Sequence, residues 1–234
     1  MRIRQHLAGV MLQRAAYTLD PQLRARVLAL KAWQATRLAG TYGDLLASPR
    51  YRDAAQFFLE ELYGARDFSQ RDADVERILP KMTRLLPEAA LAMIAGAVEL
   101  DELSESLDTR TAAAHGAGPI SAASYAAAYR AASTREARTR QIILMEQIGR
   151  ALDTLTRVPM LLTTLKLMRG PARLAGLSGL QQFLEKGFMT CRQMRGADEF
   201  LGIIARRETT LMERLLDSAD SAAAGPFAGL AETG

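Results

Sequence analysis

The chain has one cysteine, two histidines, one tryptophan, five valines and four lysines in 234 residues. A lone Cys191 excludes an internal disulfide framework and every multi-cysteine zinc site. His6 and His115 leave little for a histidine-rich metal centre. No apolar run approaches the ~18 residues that a membrane helix needs. The longest, Leu91–Val98, is bracketed by Glu88 and Glu99 and reads as a buried helix segment. The start, MRIRQHLAGVML, imitates a signal peptide, but His6 and Gln13-Arg14 interrupt it and no small-residue cleavage site follows. The expectation is a mature cytoplasmic chain with no membrane association.

What is abundant is alanine (41), leucine (34) and arginine (26). Helix formers dominate, strand formers are scarce, and no period-two alternation occurs. The hydrophobic and charged fractions, 49% and 24%, are ordinary for a globular protein. A chain this long buries about 70% of its unfolded surface without staples. The net charge of +4 is uneven. Residues 1–40 carry seven bases and one acid, residues 130–173 nine and three, and residues 99–108 five acids and no base. The bases are interleaved with apolar positions rather than run together, and aromatics are only 6%. A solvated helix surface therefore accounts for them better than a nucleic-acid interface.

Breakers divide the chain into helices. They run from about Arg2 to Tyr17, from the Asp20-Pro21 start through Leu38, and from Ser48-Pro49 to Gly64. Another spans Ser69 to Leu86, kinked at Pro80, and a fifth runs from Pro87 to about Ala114. Gly116–Pro119 is the clearest linker. Ser121 caps a helix to Ala132, and Thr134 opens or continues one to Arg157. Pro159, Pro171, Ser178 and Asp198 begin the rest, ending near Asp217. The expected fold is all-α: a single bundle of about nine or ten helices with short loops over residues 1–217. Residues 218–234 form an Ala/Gly/Ser-rich tail expected to be disordered.

A helical wheel places several charges on apolar faces. Glu61 falls between Ala54 and Phe57, inside the apolar arc, whereas Glu60 faces water. Arg140 and Gln141 lie on the face of Leu144, Ile148, Ala151, Leu152 and Leu155. Arg207 lies on that of Phe200, Ile203, Ile204, Leu211 and Leu215, flanked by Glu208. Glu146/Arg150 and Asp153/Arg157 read as pairs on a solvated face. A buried charge is costly unless paired. Glu61, Arg140, Gln141, Arg207 and Glu208 are therefore expected to pair with one another, as an internal ion-pair network or as an anion or ligand pocket. Arg169 and Arg173, around the start of a helix at Pro171, form a weaker anion candidate.

Other clusters are better explained structurally. Asp67, Asp72 and Asp74 lack calcium-loop spacing. Glu99, Asp101, Glu102, Glu105 and Asp108 precede His115, but a di-iron bundle needs Glu three residues before each histidine, and neither has it. His6 or His115 as a haem ligand has no further support. Cys191 reads as a small core residue, and Met160, Met168, Met189 and Met194 as filler. No catalytic residue, metal site or cofactor is indicated.

The string Phe57-Phe58-Leu59-Glu60-Glu61-Leu62-Tyr63-Gly64, followed by Asp67-Phe68-Ser69 and Arg71-Asp72, resembles the uncharacterised, mostly proteobacterial FFLEELY-motif proteins. Leu167–Arg173, Phe183-Leu184-Glu185 and Arg207-Glu208 fit the same likeness, which spans residues 1–217. The resemblance implies a helical domain without established catalytic residues. The reading is a non-enzymatic module that binds a protein partner or an acidic small molecule. An enzyme or cofactor carrier using the Glu/Arg pocket is the alternative, and a homo-oligomer is left open.

Overall fold

The computed structural model describes residues 2–62, 69–86, 88–217 and 227. These form helices throughout, with no strand among the described residues. The helices are α1 (Arg2–Thr18), α2 (Pro21–Thr41), α3 (Gly43–Ala47), α4 (Arg52–Phe57), α5 (Ser69–Leu85), α6 (Glu88–His115), α7 (Ala122–Ala132), α8 (Arg135–Thr156), α9 (Leu161–Leu167), α10 (Arg169–Leu174), α11 (Ser178–Gln193) and α12 (Asp198–Asp217). A π-helical segment, Phe58–Leu62, continues α4. Nine helices of seven residues or more lie among the described residues, in line with the expected nine or ten. Short α3, α4 and α10 make up the remainder.

Start signals work as their chemistry requires. Asp20 accepts hydrogen bonds from the backbone N–H groups of Gln22 and Leu23, and Pro21 occupies the first turn. Ser121 and Ser124 exchange side-chain and backbone hydrogen bonds, and Thr134 accepts from the N–H of Ala137. The linker turns on Gly116 and Gly118, both at positive φ. Pro49 opens α4 differently: the chain turns there first, and the helix starts at Arg52. The end of that helix at Gly64 lies outside the described residues.

The 28-residue α6 lies at the centre, against α1, α2, α7 and α8. A Cβ at Gly9 of α1 would collide with the Glu102 carboxylate, which accepts a 2.6 Å contact from His6. Helix α12 closes the bundle over α7 and α8. Two apolar clusters result. One joins Leu38, Tyr42, Tyr51, Phe58, Cys191, Phe200 and Ile204. The other joins Val27, Leu30, Tyr125, Tyr129, Leu211 and Leu215. Trp33 stacks on Tyr125 at 4.5 Å, and Phe227, the one described residue of the tail, covers both rings.

Candidate functional site

The five charged and polar residues expected to meet are held apart, each with a different partner. Arg207 is the innermost. Its Nη1 and Nη2 donate to the two Asp44 oxygens at 2.8 Å each, and Nη1 also donates to the Thr41 carbonyl at 3.0 Å. Glu208, next along α12, turns to α2: it accepts from Arg37 Nη1 at 2.8 Å and from the Tyr42 hydroxyl at 2.6 Å. Gln141 accepts from Arg138 and donates to Ser104 at 2.8 Å.

Arg140 corrects the wheel reading. It is half-exposed and donates to Glu99 at 2.7 Å. The inward arginine of α8 is Arg138, whose guanidinium lies 4.2 Å above the Tyr129 ring. The buried stripe is rotated toward Arg138 because α7 supplies an aromatic surface that the helix's own periodicity does not reveal. Glu146/Arg150 is the expected surface pair, at 2.6 Å. Asp153 pairs with Arg157 at 2.5 Å but is itself buried, beside Cys191.

Glu61 meets none of the other four. Side-chain exposures of 39% at Glu60 and 19% at Glu61 agree with the expected contrast. Both carboxylates accept from Lys186 Nζ of α11, at 3.3 and 3.0 Å. Phe57 of the same segment lies against Phe183 and Gly187, also on α11. Phe58 points the other way, to Tyr42 in the core. The described part of the FFLEELY string is thus a clamp: two aromatics and two carboxylates fix α11 to the bundle.

Next to that clamp, and sharing Lys186 with it, lies a groove of about 580 Å3 between α10 and α11. Arg169 and Arg173 of α10 form one wall, and Gln181, Glu185, Lys186 and Met189 of α11 the floor. Arg169 donates through Nε to Glu185 at 2.7 Å and through Nη2 to its other oxygen. Those bonds hold the Glu185 carboxyl below its ordinary range. Arg173 makes no ion pair among the described residues. The weaker candidates from the sequence are therefore the ones that border a groove.

A second charged cluster was not anticipated. Arg14 of α1 pairs with Asp72 of α5 and donates to Asp101 and Glu105 of α6 at 3.1 Å each. Lys31 of α2 donates to Glu105 at 2.6 Å, and Gln34 to Asp108 at 3.1 Å. Arg71 lies 3.7 Å from Asp101. Burial raises the Asp101 and Asp108 carboxyls, against the pull of neighbouring cations. The signal was present: Arg14 continues the Ile3–Leu7–Val10 stripe, and Asp101, Glu105 and Asp108 recur at helical spacing. Asp74 pairs with Arg77 and Gln70, so neither it nor Asp72 is a free surface acid. Asp67 lies outside the described residues. No cluster of three or more His, Cys, Asp or Glu suited to a metal ion occurs among the described residues.

The model of the domain of unknown function DUF8198 matches residues 13–222, nearly the whole helical body. The chain belongs to that family. No curated protein and no solved structure matches the chain. The DUF8198 match takes in both the clamp and the groove. Among the described residues no helix is long and apolar enough to cross a membrane.

Proposed function

We propose that this DUF8198 protein is a non-enzymatic helical module that binds an acidic partner, protein or small molecule, in the groove between α10 and α11. The observation that carries this is the wall of Arg169 and Arg173 beside Lys186, three bases against the one acid, Glu185, that lines the groove. Arg173 is exposed and uncompensated, so an incoming carboxylate or phosphate displaces no internal partner there. The FFLEELY likeness supports a bacterial origin for this module.

The test is the melting temperature at low salt with tripolyphosphate or poly-glutamate, for the wild type and Arg173→Glu. The expected result is stabilisation of the wild type that the substitution removes. No shift with either anion would overturn the reading. A steep response to nucleic acid that collapses with salt would assign the basic surface to phosphate backbones instead.

A second reading, an enzyme or cofactor carrier, moves from the five separated residues to Asp101, whose raised carboxyl lies between Arg14 and Arg71. Its test is native mass spectrometry with a visible spectrum of the protein as purified. A co-purified mass that Asp101→Asn loses supports it; an apo mass in both variants counts against it.

A further inference from the structure

We propose that the face built by α9, α10 and the outward stripe of α11 receives an acidic amphipathic helix of a partner protein. This rests on the acidic-partner reading above and names the partner's form.

The first observation is apolar surface that the fold does not use. Helix α9 has no buried residue, and α10 buries only Ala172. Met160, Leu167 and Leu174 are 75%, 73% and 92% exposed. Large side chains left bare on neighbouring helices that pack beside the charged groove point to an interaction site. Met168 and Met189 border the same region, and methionine adapts to the shape of an incoming side chain.

Shape and charge then select the occupant. The α11 residues along the groove recur at helical spacing from Ser178 to Gln193. Sixteen residues at 1.5 Å each give a groove about 24 Å long, the length of a helix of the same size. Arg169, Arg173 and Lys186 are spread along it rather than gathered at one point, and Lys166 lies in the last turn of the adjoining α9. A compact anion gains little from that spread. Arg169 is already held by Glu185, and Lys186 by Glu60 and Glu61. A helix with carboxylates on its flanks can meet both Arg173 and Lys166, which make no ion pair among the described residues, while its apolar stripe meets the exposed leucines of α9 and α10. A bilayer fits less well. The surface is concave, buried Gln181, Glu185 and Thr190 lie on its floor, and residues 158–182 contain no aromatic anchor.

The test uses the full chain and a fluorescent synthetic peptide of about 16 residues, with leucines at helical spacing and glutamates on the flanks. A permuted peptide of the same composition, tripolyphosphate, and vesicles of phosphatidylcholine with phosphatidylserine are the comparisons. The expected result is binding of the acidic helix at least about tenfold tighter than the permuted peptide. Leu174→Gln and Arg173→Glu should each weaken it by about tenfold while leaving the circular dichroism unchanged, since both side chains are exposed. Equal binding of the permuted peptide would overturn the helix inference and leave the acidic-partner reading standing. No binding of peptide or tripolyphosphate would overturn both. Binding to the vesicles without binding to the peptide would overturn the inference in favour of a lipid surface.

Discussion

Arg207 and Asp44 face each other fork to fork, yet only one of them is inside the protein. The Arg207 side chain has no exposed surface, whereas that of Asp44 is 44% exposed. The pair is therefore a plug: Asp44 sits at the rim and neutralises a guanidinium that α12 has carried into the core. Removing the rim residue takes both carboxylate hydrogen bonds from a guanidinium inside the protein. Asp44→Ala is expected to cost about 2 kcal/mol in urea unfolding, less than the 3–5 of a fully buried pair because water still reaches the site. The pH dependence follows the sign of the shift. Hydrogen bonds from Arg207 hold the Asp44 carboxyl below its ordinary value. Its contribution is then complete above about pH 4 and lost as pH falls through the lowered folded value. Asp44→Asn should flatten that acid limb. An unchanged limb would show that other carboxylates govern it.

Asp108 predicts the opposite sign. Burial raises its carboxyl, so the folded chain holds the proton more tightly than the unfolded one. Its ionised form opposes folding, and that cost grows as pH rises from the ordinary value through the raised one. Asp108→Asn is expected to be more stable than the wild type at pH 7, with the gain vanishing below about pH 4. Lys31 keeps Glu105 in the variant, so no cation is stranded. A variant less stable than wild type at neutral pH would show that the Lys31 and Arg138 charges outweigh burial.

Cys191 offers a chemical check on the core. Burial, with the nearby Asp153 charge, pushes its thiol up to about 12. A thiol that is neither ionised nor accessible does not react. Ellman's reagent should leave the native protein unmodified and titrate one thiol after denaturation. Rapid native labelling at pH 8 would contradict the packing of α11 against α8.

Much of this fold was readable because helix boundaries are local chemistry. Asp20, Ser121 and Thr134 announce their helices within three residues. The pairing of buried charges was not readable, because it depends on which helices become neighbours. A wheel on α12 places Arg207 inside but carries no information that Asp44, 163 positions away, will meet it. A wheel on α8 places Arg140 on the apolar face and gives no sign of Arg138 for the same reason: Tyr129, against which Arg138 packs, lies on another helix. Arg169 and Arg173 read as flanking a helix start at Pro171, but α10 begins at Arg169 and carries Arg173 in its last turn, and the groove they border exists only once α11 lies beside α10.

Gly187 tests whether the Phe57 clamp is tight. A Cβ there would lie 2.9 Å from the tip of the Phe57 ring and 3.4 Å from its edge. The ring is buried and tilted against Phe183, 5.5 Å between centroids, so it has little room to withdraw. Overpacking of this kind costs about 1–3 kcal/mol, and alanine returns about 1 through helix propensity. Gly187→Ala should therefore destabilise by about 1 kcal/mol in net terms. The cause is separable by a double-mutant cycle. Phe57→Leu alone loses buried surface, but it clears the space above Gly187, so the two substitutions together should cost less than their sum. Strict additivity would mean that Phe57 does not press on α11, and that the clamp holds this helix through the Lys186 ion pairs.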